Sequence, residues 1–349
     1  MRRYKLSFIL SILFIPIGVQ AIDYTKKPEV RSFIKTMHTQ YNYKKSYLNT
    51  LFKQVRKDTK VPIKTQKSKP RILSSAPRPQ GSWDIYSRLH LENNQTDLGV
   101  AYLYQHYELF QEAYQRYRVP PEYIAAIIGI ESHYGKNTGR YYVFDQLTHL
   151  AFDRDSRRKK YFRYELQEFL RMCYREQVEP RAIKGSNCGA IGLAQFMPSN
   201  YKSLAVDFNN DGKIRITTPE DAIGSIANYL KSHGWRDNEP VTTRVSYQGN
   251  RFVGLKTGLR HKYLRKYLPN IYPKQSFEYD DKVMLIKLER EKYDELWYGA
   301  HNFYVISRYN HSHYYAMAVH QLAQNIKQGY RAKYQQFLQQ ELYALADIK

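Results

Sequence analysis

Cysteine is almost missing from this chain: only Cys173 and Cys188 occur in 349 residues, which excludes a disulfide-dense scaffold. A single bridge between them and two separate thiols both stay open, because sequence does not fix their distance. Acidic residues are also scarce, with 32 Asp and Glu against 55 Lys and Arg. There is no Walker loop, no G-x-S-x-G elbow, no zinc-spaced ligand cluster and no internal repeat, so the obvious nucleotide and serine-hydrolase readings lapse. No apolar run reaches the roughly 20 residues of a membrane-spanning helix. The longest, residues 6–19, is interrupted by Pro16 and Gly18.

That run has a different meaning. It follows Arg2, Arg3 and Lys5 and ends in Val19-Gln20-Ala21, which predicts a secretory signal peptide over residues 1–21, cleaved before Ile22. No cysteine stands near the cleavage point, so the expectation is a periplasmic protein that is not a lipoprotein. Loss of the leader lowers the formal net charge from +23 to +20, and such a surface wants a polyanion. For an exported protein the polyanions at hand are peptidoglycan with its peptide carboxylates, lipopolysaccharide and phospholipid head groups. No nucleic acid is expected as a partner, and membrane contact is at most peripheral.

The fold class expected is α+β, mainly α. Residues 28–57 space Phe33, Met37, Tyr41, Leu48 and Phe52 as a helical lead-in. Residues 58–82 carry four prolines and many cations and read as an extended arm. From Trp83 the pattern is aromatic and helical, with one amphipathic helix expected from Leu98 to Tyr117. Between about 240 and 300, TTRVSYQ, NRFVGL and KVMLIKLE alternate apolar and polar residues, which predicts a small β-rich subdomain inserted into a helical body. Helical spacing returns at Tyr315. The expected division is 1–21 signal, 22–80 lead-in and linker, 81–239 helical catalytic core, 240–300 β-rich subdomain and 301–349 completing the core.

One residue breaks the pattern. Pro120-Pro121-Glu122 starts a helix well. In it Ile124, Ile127, Ile128 and Glu131 fall on one face. Glu131 thus projects from an apolar stripe and sits in the last turn, before Gly135 is expected to end the helix. Burial and the negative dipole end both push its pKa upward, as a general acid at neutral pH requires. By itself the pattern equally fits a glutamate that tips outward or pairs with an arginine.

Four ordered segments change the reading: E-S-H-Y-G from Glu131, the glycine-rich loop GAIGLAQFMPS from Gly189, AIGSIANYLKSHGW from Ala222 and RYNHSHYYAMAV from Arg308. Together they resemble the lytic murein transglycosylase B family over most of residues 83–330. The resemblance implies a lysozyme-like fold. It also implies cleavage of the β-1,4 bond between N-acetylmuramic acid and N-acetylglucosamine in peptidoglycan, without water, leaving a 1,6-anhydromuramic end. Glu131 matches the catalytic glutamate. Ser186 and Gln195 match groups that hold the substrate. Tyr229, Tyr309, Asn310 and Tyr315 match cleft-lining residues, and Tyr86, Arg157 and Arg158 match further glycan or peptide contacts. The family needs one carboxyl group where glycosidases ordinarily use two. The candidates for a second acid are Asp145, Asp153 and Asp155, none in a glycine-rich or aromatic cleft signature, and a hydrolytic lysozyme and a non-catalytic wall-binding module remain the alternatives. No organic cofactor is implied, and the expected state is a monomer on glycan strands, with wall-synthesis partners unknown.

Residues 207–221 begin like a calcium loop, with Asp207, Asn209 and Asp211 at positions 1, 3 and 5, Gly212 at 6 and the Lys213 carbonyl at 7. Position 12 is Thr218 and not a glutamate. The resemblance closes a longer loop with Asp221, giving an EF-hand-like structural Ca2+ site, whereas Thr218 to Asp221 also fits a capping box.

Overall fold

The computed structural model describes residues 21–56, 79–92, 94–153, 158–248 and 254–346, with side chains to 335. The predicted leader up to Gln20 and most of the basic arm lie outside these, as do Asp155, Arg157 and most of NRFVGL.

The lead-in is two helices, α1 (Pro28–Tyr41) and α2 (Lys45–Lys53), separated where Asn42 takes a left-handed conformation. A two-residue clip of β1 (Ala21–Ile22) with β2 (Val55–Arg56) closes their ends. Met37, Leu48 and Phe52 are buried as their spacing predicts, while Phe33 and Tyr41 are partly buried. Phe52 meets Phe33 and Phe144 edge-on at 5.9 and 5.1 Å. These residues belong to the same core as the rest of the helical body.

After α3 (Ser82–Leu91), the helix expected over 98–117 is two: α4 (Gln95–Gln105) and α5 (Tyr107–Tyr117), broken at His106. The break has a packing cause. The apolar residues of α4 go toward α6 (Pro121–Ser132) and α12 (His313–Ala346), whereas Phe110, Ala113 and Tyr117 of α5 lie against α10 (Pro219–Ser232). One straight helix does not reach both. Helix α6 is buried from Glu122 through Gly129 on all sides, as expected of a helix apolar around its whole circumference. Its single stripe of the sequence pattern is therefore only part of its contact surface.

Helices α7 (Val143–Phe152), α8 (Lys159–Glu176), α9 (Pro198–Leu204) and α11 (His301–Asn310) complete the body. A short pair, β3 (Tyr141–Tyr142) with β4 (Lys184–Gly185), ties the segment after α6 to the one after α8.

The β-rich segment forms an antiparallel five-stranded sheet: β5 (Thr242–Tyr247), β6 (Lys262–Tyr263), β7 (Ile271–Pro273), β8 (Val283–Glu289) and β9 (Asp294–Gly299), in the order β6-β8-β9-β5-β7. Alternation along β8 serves two cores. Val283 and Leu285 join a small cluster with Leu296, Tyr298 and Phe277, while Met284, Ile286 and Leu288 join the helical core. Cys173 is buried and Cys188 exposed, and both are free thiols, so the bridge left open by the sequence does not form. No helix among the described residues is long and apolar enough to cross a membrane.

Candidate active site

Glu131 lies in the last turn of α6, half-buried. The helix ends sooner than its glycine suggests. His133 already has φ 51°, Tyr134 follows at 54° and Gly135 at 86°, so three successive residues are left-handed, two of them with a Cβ. Each such residue costs on the order of 1–2 kcal/mol unless its surroundings hold it. Here they do. Ser132 Oγ donates to Ile128 O at 3.0 Å and accepts from Gly135 N at 3.2 Å, and Asn137 N donates to Ser132 O at 2.8 Å. The Tyr134 hydroxyl donates to Gln95 O at 2.9 Å. Its ring sits where Gly99 of α4 and Gly129 of α6 leave room, because a Cβ at either position would stand 2.5 Å from that hydroxyl.

Three tyrosines gather around the Glu131 carboxylate. Tyr315, 1% exposed, faces it from α12; burial first, and then that carboxylate, push the phenol well above its ordinary range. The Glu131 carboxyl comes within reach of this hydroxyl, but no described acceptor meets it with full hydrogen-bond geometry. Tyr309 is only partly buried as a residue, yet burial of its hydroxyl and then Glu131 raise it in the same way. Its hydroxyl donates to Ala194 O at 2.6 Å. Tyr229 of α10 is pushed up to about 12, by burial in the main and by Glu131 to a smaller degree, against Arg308. The rings form one wall: Tyr229 to Tyr309 is 4.6 Å, Tyr309 stacks on Tyr315 at 6.1 Å, and His233 stacks on Tyr229 at 4.1 Å. Among the described residues Glu131 is the one carboxylate acting on all three phenols. Asp153 is engaged with Tyr24, Lys27 and His149, and Asp145 lies buried in α7.

The glutamine loop joins this wall from below. Gln195 is itself left-handed, at φ 47°. Its Nε2 donates to Gly192 O at 2.8 Å and to Thr138 O at 3.0 Å, which uses the amide nitrogen and leaves the amide oxygen for a ligand donor. Ser186 Oγ accepts from Ala190 N at 3.0 Å and Cys188 N at 3.3 Å. The Ser186 loop and the segment after Glu131 touch through backbone: Gly139, at φ 98°, lies against Gly185 and Ser186 so closely that no Cβ fits.

Tyr86 lines up beside these residues, 5.5 Å from the Tyr314 ring and within electrostatic range of Tyr315. Asn310 ends α11 next to Tyr309. Arg158 is exposed at the start of α8, over Tyr161 at 4.6 Å; the Tyr161 hydroxyl feels both that cation and the Cys188 thiol of the Ser186 loop. Sequence reasoning missed Phe196, whose ring packs against both Tyr229 and Tyr309. It also missed the Tyr134 ring with its two glycine notches, whose only signal was the tyrosine inside E-S-H-Y-G. A cavity of about 780 Å3 opens elsewhere, between the start of α6, the loop after α10 and α12, and does not involve Glu131.

In the first half of the acidic loop Asp207 Oδ2 accepts from Gly212 N at 2.8 Å, Asn209 Oδ1 from Asp211 N at 3.3 Å and Asp211 Oδ1 from Lys213 N at 2.9 Å. The closing half differs. Asp221, 1% exposed, accepts from Phe208 N at 2.8 Å and Arg215 N at 2.5 Å, and the Arg215 guanidinium is ion-paired with Asp211. Among the described residues no three acidic, His or Cys groups stand ready to hold a metal.

A lone half-buried carboxyl at the end of a core helix, walled by phenols and approached by a glycine-rich loop, is the layout of a lysozyme-like glycan-cleaving cleft. The transglycosylase SLT domain description matches residues 25–324, and the chain belongs to that family. It is 36% identical over 307 residues to the membrane-bound lytic murein transglycosylase B of Escherichia coli (strain K12), covering 87% of this chain and 84% of that one. Structures of the Escherichia coli lytic transglycosylase Slt35 with bulgecin A and with calcium are each 35% identical, cover 89% of this chain and 96% of theirs, and superpose with a TM-score of 0.79. SltB3 of Pseudomonas aeruginosa bound to NAG-anhNAM-pentapeptide is 28% identical over 74% of this chain and 70% of its own, with a TM-score of 0.63. The name of the first relative, membrane-bound, runs against the expectation of an unlipidated form.

Proposed function

We propose that this chain is a peptidoglycan lytic transglycosylase in which Glu131 is the single acid and base. The observation that carries the reading is the placement of the Glu131 carboxylate beside Tyr229, Tyr309 and Tyr315, on all three of which it acts. Protonated, it gives its proton to the leaving glycosidic oxygen as the C1–O bond breaks. As a carboxylate it then takes the proton of the muramic C6 hydroxyl while O6 bonds to C1. No water is consumed and the enzyme returns to its starting protonation. Relatives bound to bulgecin A and to an anhydromuramic peptide support the substrate class.

Ser186 and the Gln195 amide oxygen hold the sugar and its N-acetyl group, Tyr86, Tyr229, Tyr309, Asn310 and Tyr315 line the cleft, and Arg157 and Arg158 meet stem-peptide carboxylates. The protein works in the periplasm after removal of residues 1–21, with its cationic surface drawn to the anionic wall. A structural Ca2+ at Asp207, Asn209, Asp211, the Lys213 carbonyl and Asp221 belongs to the same reading, supported by the calcium-bound relative; Arg215 must leave Asp211 for the ion to enter.

The test is mass spectrometry of digested sacculi. Wild-type protein is expected to release anhydromuropeptides and Glu131→Gln, folded to the same melting temperature, to release none. Products with reducing muramic ends would overturn the transglycosylase reading in favour of hydrolysis.

A further inference from the structure

A second concave surface lies outside the residues grouped around Glu131. It is a groove of about 230 Å3 between the end of α1, the outer face of α8 and α9. Its walls are Tyr41, Tyr43, Tyr174 and Tyr201, and its cations are Arg171, Arg175 and Lys202. The only acid lining it, Glu168, is 2% exposed and is already occupied by Arg171 at 3.0 Å and Lys202 at 3.5 Å. Arg175 is paired with Glu176 at 2.8 Å, so Arg171, Arg175 and Lys202 face two acids, and the surface offered to a ligand is aromatic with one net positive charge.

The groups are held in place for use. Arg171 lies over Tyr41 at 4.7 Å and Arg175 over Tyr201 at 5.1 Å. Gln167 Nε2 donates to the Tyr41 hydroxyl at 3.1 Å, and the Tyr201 hydroxyl donates to Ile214 O at 2.7 Å. Tyr174 leans on Tyr43 at 5.3 Å yet remains 67% exposed, and Tyr164 nearby is 43% exposed. Aromatic faces take the apolar faces of sugar rings, and guanidinium groups take carboxylates. Helix α9 begins at Pro198, directly after the glutamine loop, so one short stretch of chain runs from the cleft to the groove.

We propose that this groove is an auxiliary binding site for an anionic amino-sugar polymer, namely a stretch of peptidoglycan glycan with its stem-peptide carboxylates, separate from the stretch being cut. The proposal rests on the peptidoglycan reading of the cleft. The site holds the enzyme on a long substrate and is dispensable for a short one.

The experiment compares wild-type protein with Tyr174→Ala/Arg175→Ala, both side chains being exposed enough for the fold to tolerate their loss. Sacculus binding is measured in a Glu131→Gln background, and turnover on intact sacculi and on purified disaccharide-peptide oligomers in the active background. Expected is a drop of about tenfold in sacculus binding, the effect of losing one aromatic contact and one charged contact. Turnover of intact sacculi should fall with it, oligomer turnover should stay within about twofold of wild type, and Tyr174→Phe should keep the binding. Unchanged sacculus binding, or an equal loss on oligomers and sacculi, would overturn the proposal. Failure of the cleft reading itself shows separately, as absence of anhydro products from the wild-type enzyme.

Discussion

The hydroxyl of Tyr134 donates to the carbonyl of Gln95 at 2.9 Å, joining the left-handed turn that follows Glu131 to the first turn of α4. The ring reaches that carbonyl only because Gly99 and Gly129 have no side chains. Gly129→Ala, which on helix propensity alone would stabilise α6 by up to about 1 kcal/mol, is therefore expected to lower the melting temperature and to reduce kcat tenfold or more with little change in KM. Tyr134→Phe keeps the ring and loses one hydrogen bond, about 1 kcal/mol, and should retain most activity. Steady-state kinetics with thermal melts on both variants check this.

Tyr315→Phe removes a buried hydroxyl that faces the Glu131 carboxylate. A phenol in that position favours the ionised acid. Its loss is expected to move the basic limb of the pH–rate profile upward, since the acid stays protonated to higher pH, while stability changes by less than about 1 kcal/mol. A limb that stays in place would show that the hydroxyl does not act on the acid.

His320 lines the 780 Å3 cavity, where its Nδ1 lies 3.0 Å from the Tyr123 hydroxyl, and the charged groups lining the same cavity are Lys327 paired with Glu122, and Asp237, Glu239 and Glu278. Burial pushes the imidazole down to about 4. The unfolded chain therefore binds the proton first as pH falls below about 6.5, and stability is lost between there and about 4. Because His320 keeps part of its surface exposed, the loss is on the order of 2 kcal/mol. Melting curves of His320→Gln should be flatter than wild type over that window and parallel to it above pH 7.

Arg215 occupies Asp211 in the acidic loop. Calorimetric titration of chelator-treated protein is expected to show weak calcium binding with a small thermal shift, and Arg215→Gln to bind more tightly and shift further. No binding in either protein would remove the calcium reading.

Much of the cleft was legible because its residues come in short, unusual strings. A glutamate closing an apolar helix, a glutamine in a glycine-rich loop and the R-Y-N segment are readable one at a time, and the structure gathers Tyr229, Tyr309 and Tyr315 about Glu131. The alternation in KVMLIKLE likewise announced β8. Local pattern did not reveal features set by distant neighbours. The break at His106 follows from two separate packing partners. The end of α6 at His133, ahead of Gly135, depends on a ring held by another helix. Arg215 turning onto Asp211 is a choice among rotamers. The burial of α6 on every side could not be seen in a stripe, since periodicity reports one face and neighbours decide the others.

Because α6 is enclosed from Glu122 to Gly129, its amide protons should exchange with deuterium only through the largest opening the protein undergoes. The acid at its end is thus mounted on the slowest-exchanging part of the molecule. Mild heating or moderate denaturant would loosen the surface loops long before it moved Glu131, so catalysis should survive until the whole body comes apart and then vanish in the same transition.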